Sequence, residues 1–407
     1  MNTRGTMVLE EGSRIDFDAL RLDRRARVRA MMDEHDIDVL MCIRQGNARY
    51  VTGHRPLWRA VITPWAPMCT FVRATGGIHL LAATWDDGIP GDIPHENLFA
   101  LTWNASNTVN SIAGIEGLAD ARVIAVDGMS PGLAKLLGML APNARLVDGE
   151  ALMRDVRAVK LPAEIECLRT AIAIAEGALA TVTTELRPGV RELELKGAFE
   201  AAVCGYGLNH VAYEGTFCAA PRDAGSDAGA QVLRRIPTER PIGAGELVVL
   251  HGAVHYAGYE GIAGRTRPCV GPSGMVNSTA SRGQRELARR FIAAQASAID
   301  ACGPGAPANA VATAWARHEA VPLDAPLLYG IGLGVEGPLV GGVPEAAAED
   351  ASLRPGMVVV VQGSVHEPGV GTYFGADVVA ISDDGPRRLS RASHAPLDVP
   401  TDALVPA

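Results

Sequence analysis

One stretch constrains the fold more than any other: residues 245–271, GELVVLHGAVHYAGYEGIAGRTRPCVG. Leu247, Val248, Val249 and Leu250 form an unbroken apolar run, as a strand buried on both faces requires. Gly258-Tyr259 marks a tight turn, and Gly261 and Gly264 punctuate the return segment. Arg265-Thr266-Arg267 then opens a more polar stretch. The pattern is strand, turn, strand.

A chain of 407 residues, 48% apolar and 20% charged, can build two globular domains with full cores. The net charge is -9 with acids and bases interspersed, which argues against nucleic acid as a partner and offers no polybasic membrane patch. Cys42, Cys69, Cys167, Cys204, Cys218, Cys269 and Cys302 are scattered, without CxxC or zinc spacing. They read as reduced thiols of a cytoplasmic protein. The first residues, MNTRGTMVLEEGS, lack the apolar core of a signal peptide, and no apolar run is long enough to span a membrane.

Residues 1–20 read as a loose, partner-contacting arm. A helix is predicted from Leu22 to His35, with Val28, Met31 and Met32 on one face, followed by a strand over Ile37–Ile43. Asn47, Tyr50 and His54 read as loop and strand-end residues. Further strands are predicted at Met68–Val72, Ile78–Ala82 and Val123–Val126, giving a small α/β domain over residues 1–158. The boundary falls between Arg157 and Pro162. Pro162 suits a first helical turn, Glu164 and Glu166 favour its positive end, and Ile165, Leu168, Ile172, Ala175 and Leu179 recur at helical spacing. A second domain occupies residues 159–407.

Several phrases resemble the creatinase, prolidase and methionine aminopeptidase family, whose fold is called pita-bread. In the hairpin, Gly245, Glu246, Tyr256, Gly258, Tyr259, Arg265 and Thr266 match that family's metal-binding hairpin without a gap. Lys160-x-Pro162-x-Glu164-Ile165-Glu166, followed by Leu186–Leu195, is similar to the opening of its C-terminal domain. Asn47, Tyr50, Thr52 and Gly53 resemble a phrase of its N-terminal domain. The resemblance implies an α/β (α+β) chain: a small N-terminal α/β creatinase-like domain, then a C-terminal pita-bread domain. It also implies a homodimer in which one N-terminal domain caps the partner's pocket.

In that family two divalent metals sit among Asp, Asp, His, Glu and Glu, because two dications need several carboxylates to hold and bridge them. The corresponding positions here hold His251, Ile262, Tyr329, Gln362 and Ala376. None is a carboxylate and two are hydrocarbon, so neither a dinuclear centre nor another cofactor is expected. The remaining metal option is a single ion on His251 with His255 or His366.

The resemblance includes a precedent, since creatinase hydrolyses a guanidino C–N bond without metal, using a histidine and carboxylates. His251 is the expected base. Tyr329, Glu336 and His366 are candidate catalytic partners; His255, Gln362, Glu367, Arg234 and Glu260 are candidate substrate contacts. Arg234 stands nearest to where creatinase carries its own histidine and can grip a substrate carboxylate. Each has a plain alternative: a core histidine bonded to a carbonyl, a loop carboxylate held by amides, a solvated arginine. Arg265 reads as structural. Three function classes stay open: a metal-independent hydrolase of a small amino-acid-derived, guanidino or amide compound; a lyase, decarboxylase or isomerase of a small metabolite; and a non-catalytic binding module.

Overall fold

The structure is a computed structural model that describes residues 15–54, 67–82, 89–100, 105–208, 211–213, 215–220, 235–271, 279–321, 325–341 and 351–395. Two compact units divide it, one of Gly12–Arg157 and one built on Ala158–Ala407.

In the first unit, helix α1 (Phe17–Glu34) starts at Asp16, whose Oδ1 accepts the amides of Asp18 (3.1 Å) and Ala19 (2.9 Å). Residues 17–20 are therefore helical and not part of a loose arm; residues 1–14 of that expectation lie outside the described ones. Strand β1 (Val39–Cys42) leads into α2 (Gln45–Thr52), then β2 (Cys69–Val72), β3 (Ile78–Ala82) and β4 (Leu98–Ala100). Helix α3 (Ala105–Ala113), β5 (Val123–Val126), α4 (Pro131–Leu140), β6 (Arg145–Asp148) and α5 (Gly149–Ala158) complete it. The six strands form a mixed sheet in the order β4-β3-β2-β1-β5-β6. Val39, Met41, Ile124 and Val126 pack against Ile112, Leu133, Leu136 and Leu137.

Asn47 and Tyr50 lie on helix α2, not in a loop. Asn47 Nδ2 donates to Asp127 Oδ2 and Glu150 Oε2, both at 2.8 Å. His54 is buried beside Thr52 Oγ1 at 3.2 Å, and burial with the charge of Arg49 lowers its proton affinity to about 3. These residues tie the unit together.

The second unit opens with α6 (Pro162–Glu185) and α7 (Glu192–Gly205), then β7 (Thr216–Ala219) and the hairpin β8 (Leu247–Tyr256) and β9 (Tyr259–Pro268). Helices α8 (Arg282–Asp300) and α9 (Ala310–Ala316) precede β10 (Pro326–Gly332), β11 (Gly334–Gly341), β12 (Val358–Glu367), β13 (Gly371–Ser382) and β14 (Gly385–Arg388). The sheet runs β11-β10-β12-β13-β9-β8-β7, with β14 on β13.

The helices cover one face of this sheet, and glycines let them approach. A Cβ at Gly261 would sit 2.2 Å from the Ala171 backbone of α6, and one at Gly252 2.6 Å from Phe199 of α7. Gly363 faces Trp315 of α9, and Gly375 faces Phe291 of α8. Successive strand residues alternate faces, so the neighbours of these glycines, His251, Ile262, Gln362 and Ala376, point the other way. Arg265 lies on the helix side, donating to Ala376 O (2.7 Å), Asp377 Oδ1 (3.0 Å) and Glu176 Oε1 (3.1 Å), the structural role expected of it.

Candidate active site

The strand register gathers the candidate positions on the helix-free face. One row crosses the sheet as Thr216, His251, Gly264, Ala376 and Gln362. Ile262 lies two residues along β9 from Gly264, and Tyr329 pairs with Val360, two residues from Gln362. All five positions that carry metal ligands in the resembled family thus share one face, although they come from five strands.

His251 is the most constrained group there. Its ring lies between Tyr213 and Phe374, with centroids at 5.3 and 5.0 Å. Tyr213 Oη and His251 Nδ1 are 2.8 Å apart. Burial raises the Tyr213 phenol well above 10, so it keeps its proton and donates to Nδ1. The imidazole then carries its own proton on Nε2, which is buried without a hydrogen-bond partner among the described residues. Burial, followed by the charges of Arg235 and Arg265, lowers the ring's proton affinity to about 3, so His251 is neutral at physiological pH.

Two further groups line the same face. Tyr329 is buried and its phenol is raised, first by burial and then by the charge of Glu260. Gln362 donates from Nε2 to Pro326 O at 3.0 Å, which fixes the amide orientation and leaves Oε1 buried without a partner among the described residues. At one end of the face His255 pairs across the hairpin with Glu260. Glu260 is 9% exposed, and burial raises its carboxyl to about 7.

Other candidates fall elsewhere. Glu336, on β11, forms a buried ion pair with Lys160 Nζ at 2.6 Å, which occupies its carboxylate. Glu367 pairs with Arg290 of α8 at 2.7 Å, on the helix side. His366 shares the open face, bonded through Nδ1 to Thr372 Oγ1 at 3.0 Å. It lies four residues beyond Gln362, about 13 Å along the strand, toward the end opposite to Glu260. Arg234 lies outside the described residues. The charge of its neighbour Arg235, which the sequence did not single out, acts on His251, Tyr213 and Tyr329. Tyr213 escaped the sequence reading entirely. It reaches His251 through a long-range bridge between Val211 and Val254, which no local pattern announces.

A family model, metallopeptidase family M24, matches residues 166–383. The chain belongs to metallopeptidase family M24. An Xaa-Pro dipeptidase of Pyrococcus horikoshii is 23% identical over 371 residues, covering 89% of this chain and 95% of that one. A probable dipeptidase PepE of Mycobacterium tuberculosis is 29% identical over 282 residues, 66% of each chain. Among solved structures, a dipeptidase from Pyrococcus horikoshii superposes with a TM-score of 0.72 at 19% identity, covering 92% of this chain and 99% of that one. An Xaa-Pro dipeptidase from Bacillus anthracis gives 0.70 at 18% identity, with the same coverage. These relatives bear the names of hydrolytic enzymes, and the shared fold is an N-terminal domain followed by a pita-bread domain.

The M24 name implies metal, and the donor set here does not fit a dinuclear centre. The five positions offer a neutral imidazole proton, a phenol that holds its proton, an amide oxygen, a sec-butyl side chain and a methyl. They supply no negative charge to offset two dications. Among the described residues no group of three or more His, Cys, Asp or Glu side chains is placed to hold an ion.

Proposed function

We propose that this M24 chain is a metal-independent hydrolase acting on a C–N bond of a small amino-acid-derived, guanidino or amide compound. The observation that carries the reading is the exchange, on one sheet face, of a metal cage for neutral hydrogen-bonding groups. Two of these have buried polar atoms, His251 Nε2 and Gln362 Oε1, without partners among the described residues. Such atoms are costly to bury unmatched, and a bound substrate supplies the match.

The roles follow from the protonation states. Attack on a carbonyl-like carbon places negative charge on its oxygen. The Nε2–H of His251 and the phenol of Tyr329 are neutral donors on the face where that charge develops, and burial strengthens both. His251 therefore serves as donor and not as the base expected from the sequence, because an imidazolium is disfavoured there by burial and by Arg235. Tyr213 fixes the tautomer. Gln362 Oε1 accepts an N–H, which selects substrates bearing one.

The test is release of ammonia or amine from a panel of amino-acid amides and amidino compounds in the presence of a chelator. The reading predicts release that persists with chelator and falls at least about 100-fold in His251→Ala. Release that requires added metal, or that His251→Ala leaves intact, contradicts it.

A further inference from the structure

The described buried carboxylates of the second unit are Glu164, Glu192, Glu260, Glu336 and Asp377. Four are satisfied. Glu164 accepts the Leu161 amide (2.9 Å) and the Tyr259 hydroxyl (2.7 Å). Glu192 accepts the amides of Ala219 (3.1 Å) and Thr238 (3.0 Å), and Glu336 holds Lys160. Asp377 accepts from Arg265 and Arg388, both at 3.0 Å, and from His394 at 2.8 Å. Glu260 alone receives no hydrogen bond or ion pair from the described residues, and burial is the sole influence on its titration. A bare carboxyl nine-tenths buried is unfavourable unless something outside the fold engages it.

Its surroundings say where that engagement occurs. Glu260 stands on the open face, two residues from Ile262 and directly across the hairpin from His255. Directly opposed antiparallel residues have Cβ atoms about 5 Å apart. From the neighbouring segments, Tyr213 and Tyr329 feel its charge, and both are phenols that keep their protons. Arg235, which acts on His251 and the two phenols, is not among the influences on Glu260. With no cation beside it among the described residues, the carboxyl gains and loses its proton in the range where acid–base catalysts work.

We propose that Glu260 is the catalytic acid–base of this site, exchanging one proton with water and substrate opposite His255; the assignment rests on the hydrolase reading above. The ionised carboxylate takes a proton from water as the water oxygen bonds to the carbon of the C–N group. The carbon's π pair moves onto its oxygen, facing His251 and Tyr329. When that pair returns and the C–N bond breaks, the carboxylic acid of Glu260 gives the same proton to the leaving nitrogen. One water is consumed and Glu260 ends ionised.

The test joins kinetics to direct titration. Glu260→Gln is nearly isosteric and is expected to lower kcat at least about 100-fold with little change in KM, and to remove the acid limb of the pH profile. Glu260→Asp is expected to retain part of the activity. Carbon-13 NMR of glutamate-labelled wild type, assigned through the Gln variant, is expected to give a carboxyl midpoint near 7. Full kcat in folded Glu260→Gln overturns the proposal, as does a carboxyl midpoint in the ordinary range near 4.5. If wild type hydrolyses nothing in the panel, the hydrolase reading falls and the acid–base role falls with it, whereas hydrolysis that Glu260→Gln leaves intact overturns the acid–base role alone. If Glu260→Gln fails to fold, Glu260→Asp decides, and an acid limb and kcat unchanged from wild type overturn the proposal.

Discussion

Glu260 also yields a stability prediction that needs no substrate. Its carboxyl is raised from 4.5 to about 7 by burial. At roughly 1.4 kcal/mol per tenfold change in proton affinity, that span corresponds to about 3 kcal/mol. The sign follows from the direction of the shift. Below about pH 4.5 the group is protonated in folded and unfolded chains alike, and it costs little. As pH rises toward 7 the unfolded chain loses the proton first, so folding forfeits stability across this window; above 7 the full cost is present. Glutamine keeps the shape and carries no charge at any pH. Glu260→Gln is therefore expected to match wild type near pH 4.5 and to exceed it by about 3 kcal/mol near pH 8, measured by urea unfolding at a series of pH values. A gain that does not change with pH, or a variant less stable than wild type near pH 8, refutes the reasoning. A residue that weakens the fold at neutral pH is what a chain retains for chemistry.

Three further outcomes follow from the same contacts. Tyr213→Phe removes the donor to His251 Nδ1; it should cost about 1–2 kcal/mol in urea unfolding and free the imidazole to take either tautomer, seen as altered nitrogen-15 shifts of the ring. Lys160→Met removes the ammonium that Glu336 pairs with in the core; it should cost about 3–5 kcal/mol, and adding Glu336→Gln should recover most of that loss in a double-mutant cycle. Burial lowers His394 to about 4 and His251 to about 3, from 6.5. The unfolded chain therefore takes up protons first as pH falls below about 6.5, and stability should drop down to about pH 4 and then flatten for His394; His394→Gln should make that fall shallower by about 3 kcal/mol.

Much of the frame was legible in the sequence because it rests on local signals. The strands Ile78–Ala82 and Val123–Val126 match their predicted bounds, and the hairpin at Gly258 turns where the glycine allows it, at φ 85°. Pro162 opens its helix as the first-turn rule requires. The helix Gln45–Thr52 lacks a sequence start signal because Arg44, at its N-cap, makes no side-chain cap. Its C-terminal signal, Gly53 in the left-handed region at φ 69°, was present in the sequence. At the site, the shared face of His251, Ile262, Tyr329, Gln362 and Ala376 was reachable from the resemblance. The partners were not. Tyr213 on His251, Lys160 on Glu336 and Arg290 on Glu367 are pairings between residues distant in sequence. The protonation states from which the roles of His251 and Glu260 are proposed depend on burial, which only the folded chain defines.

Metal stoichiometry decides whether the remodelled face still holds an ion. Protein purified without chelator would be analysed for bound elements, then titrated with manganese, cobalt and zinc by calorimetry. Ligand positions without carboxylates are expected to carry no stoichiometric metal as purified and no saturable site on His251. Two ions per chain, or a single ion whose binding is lost in His251→Ala, contradicts it.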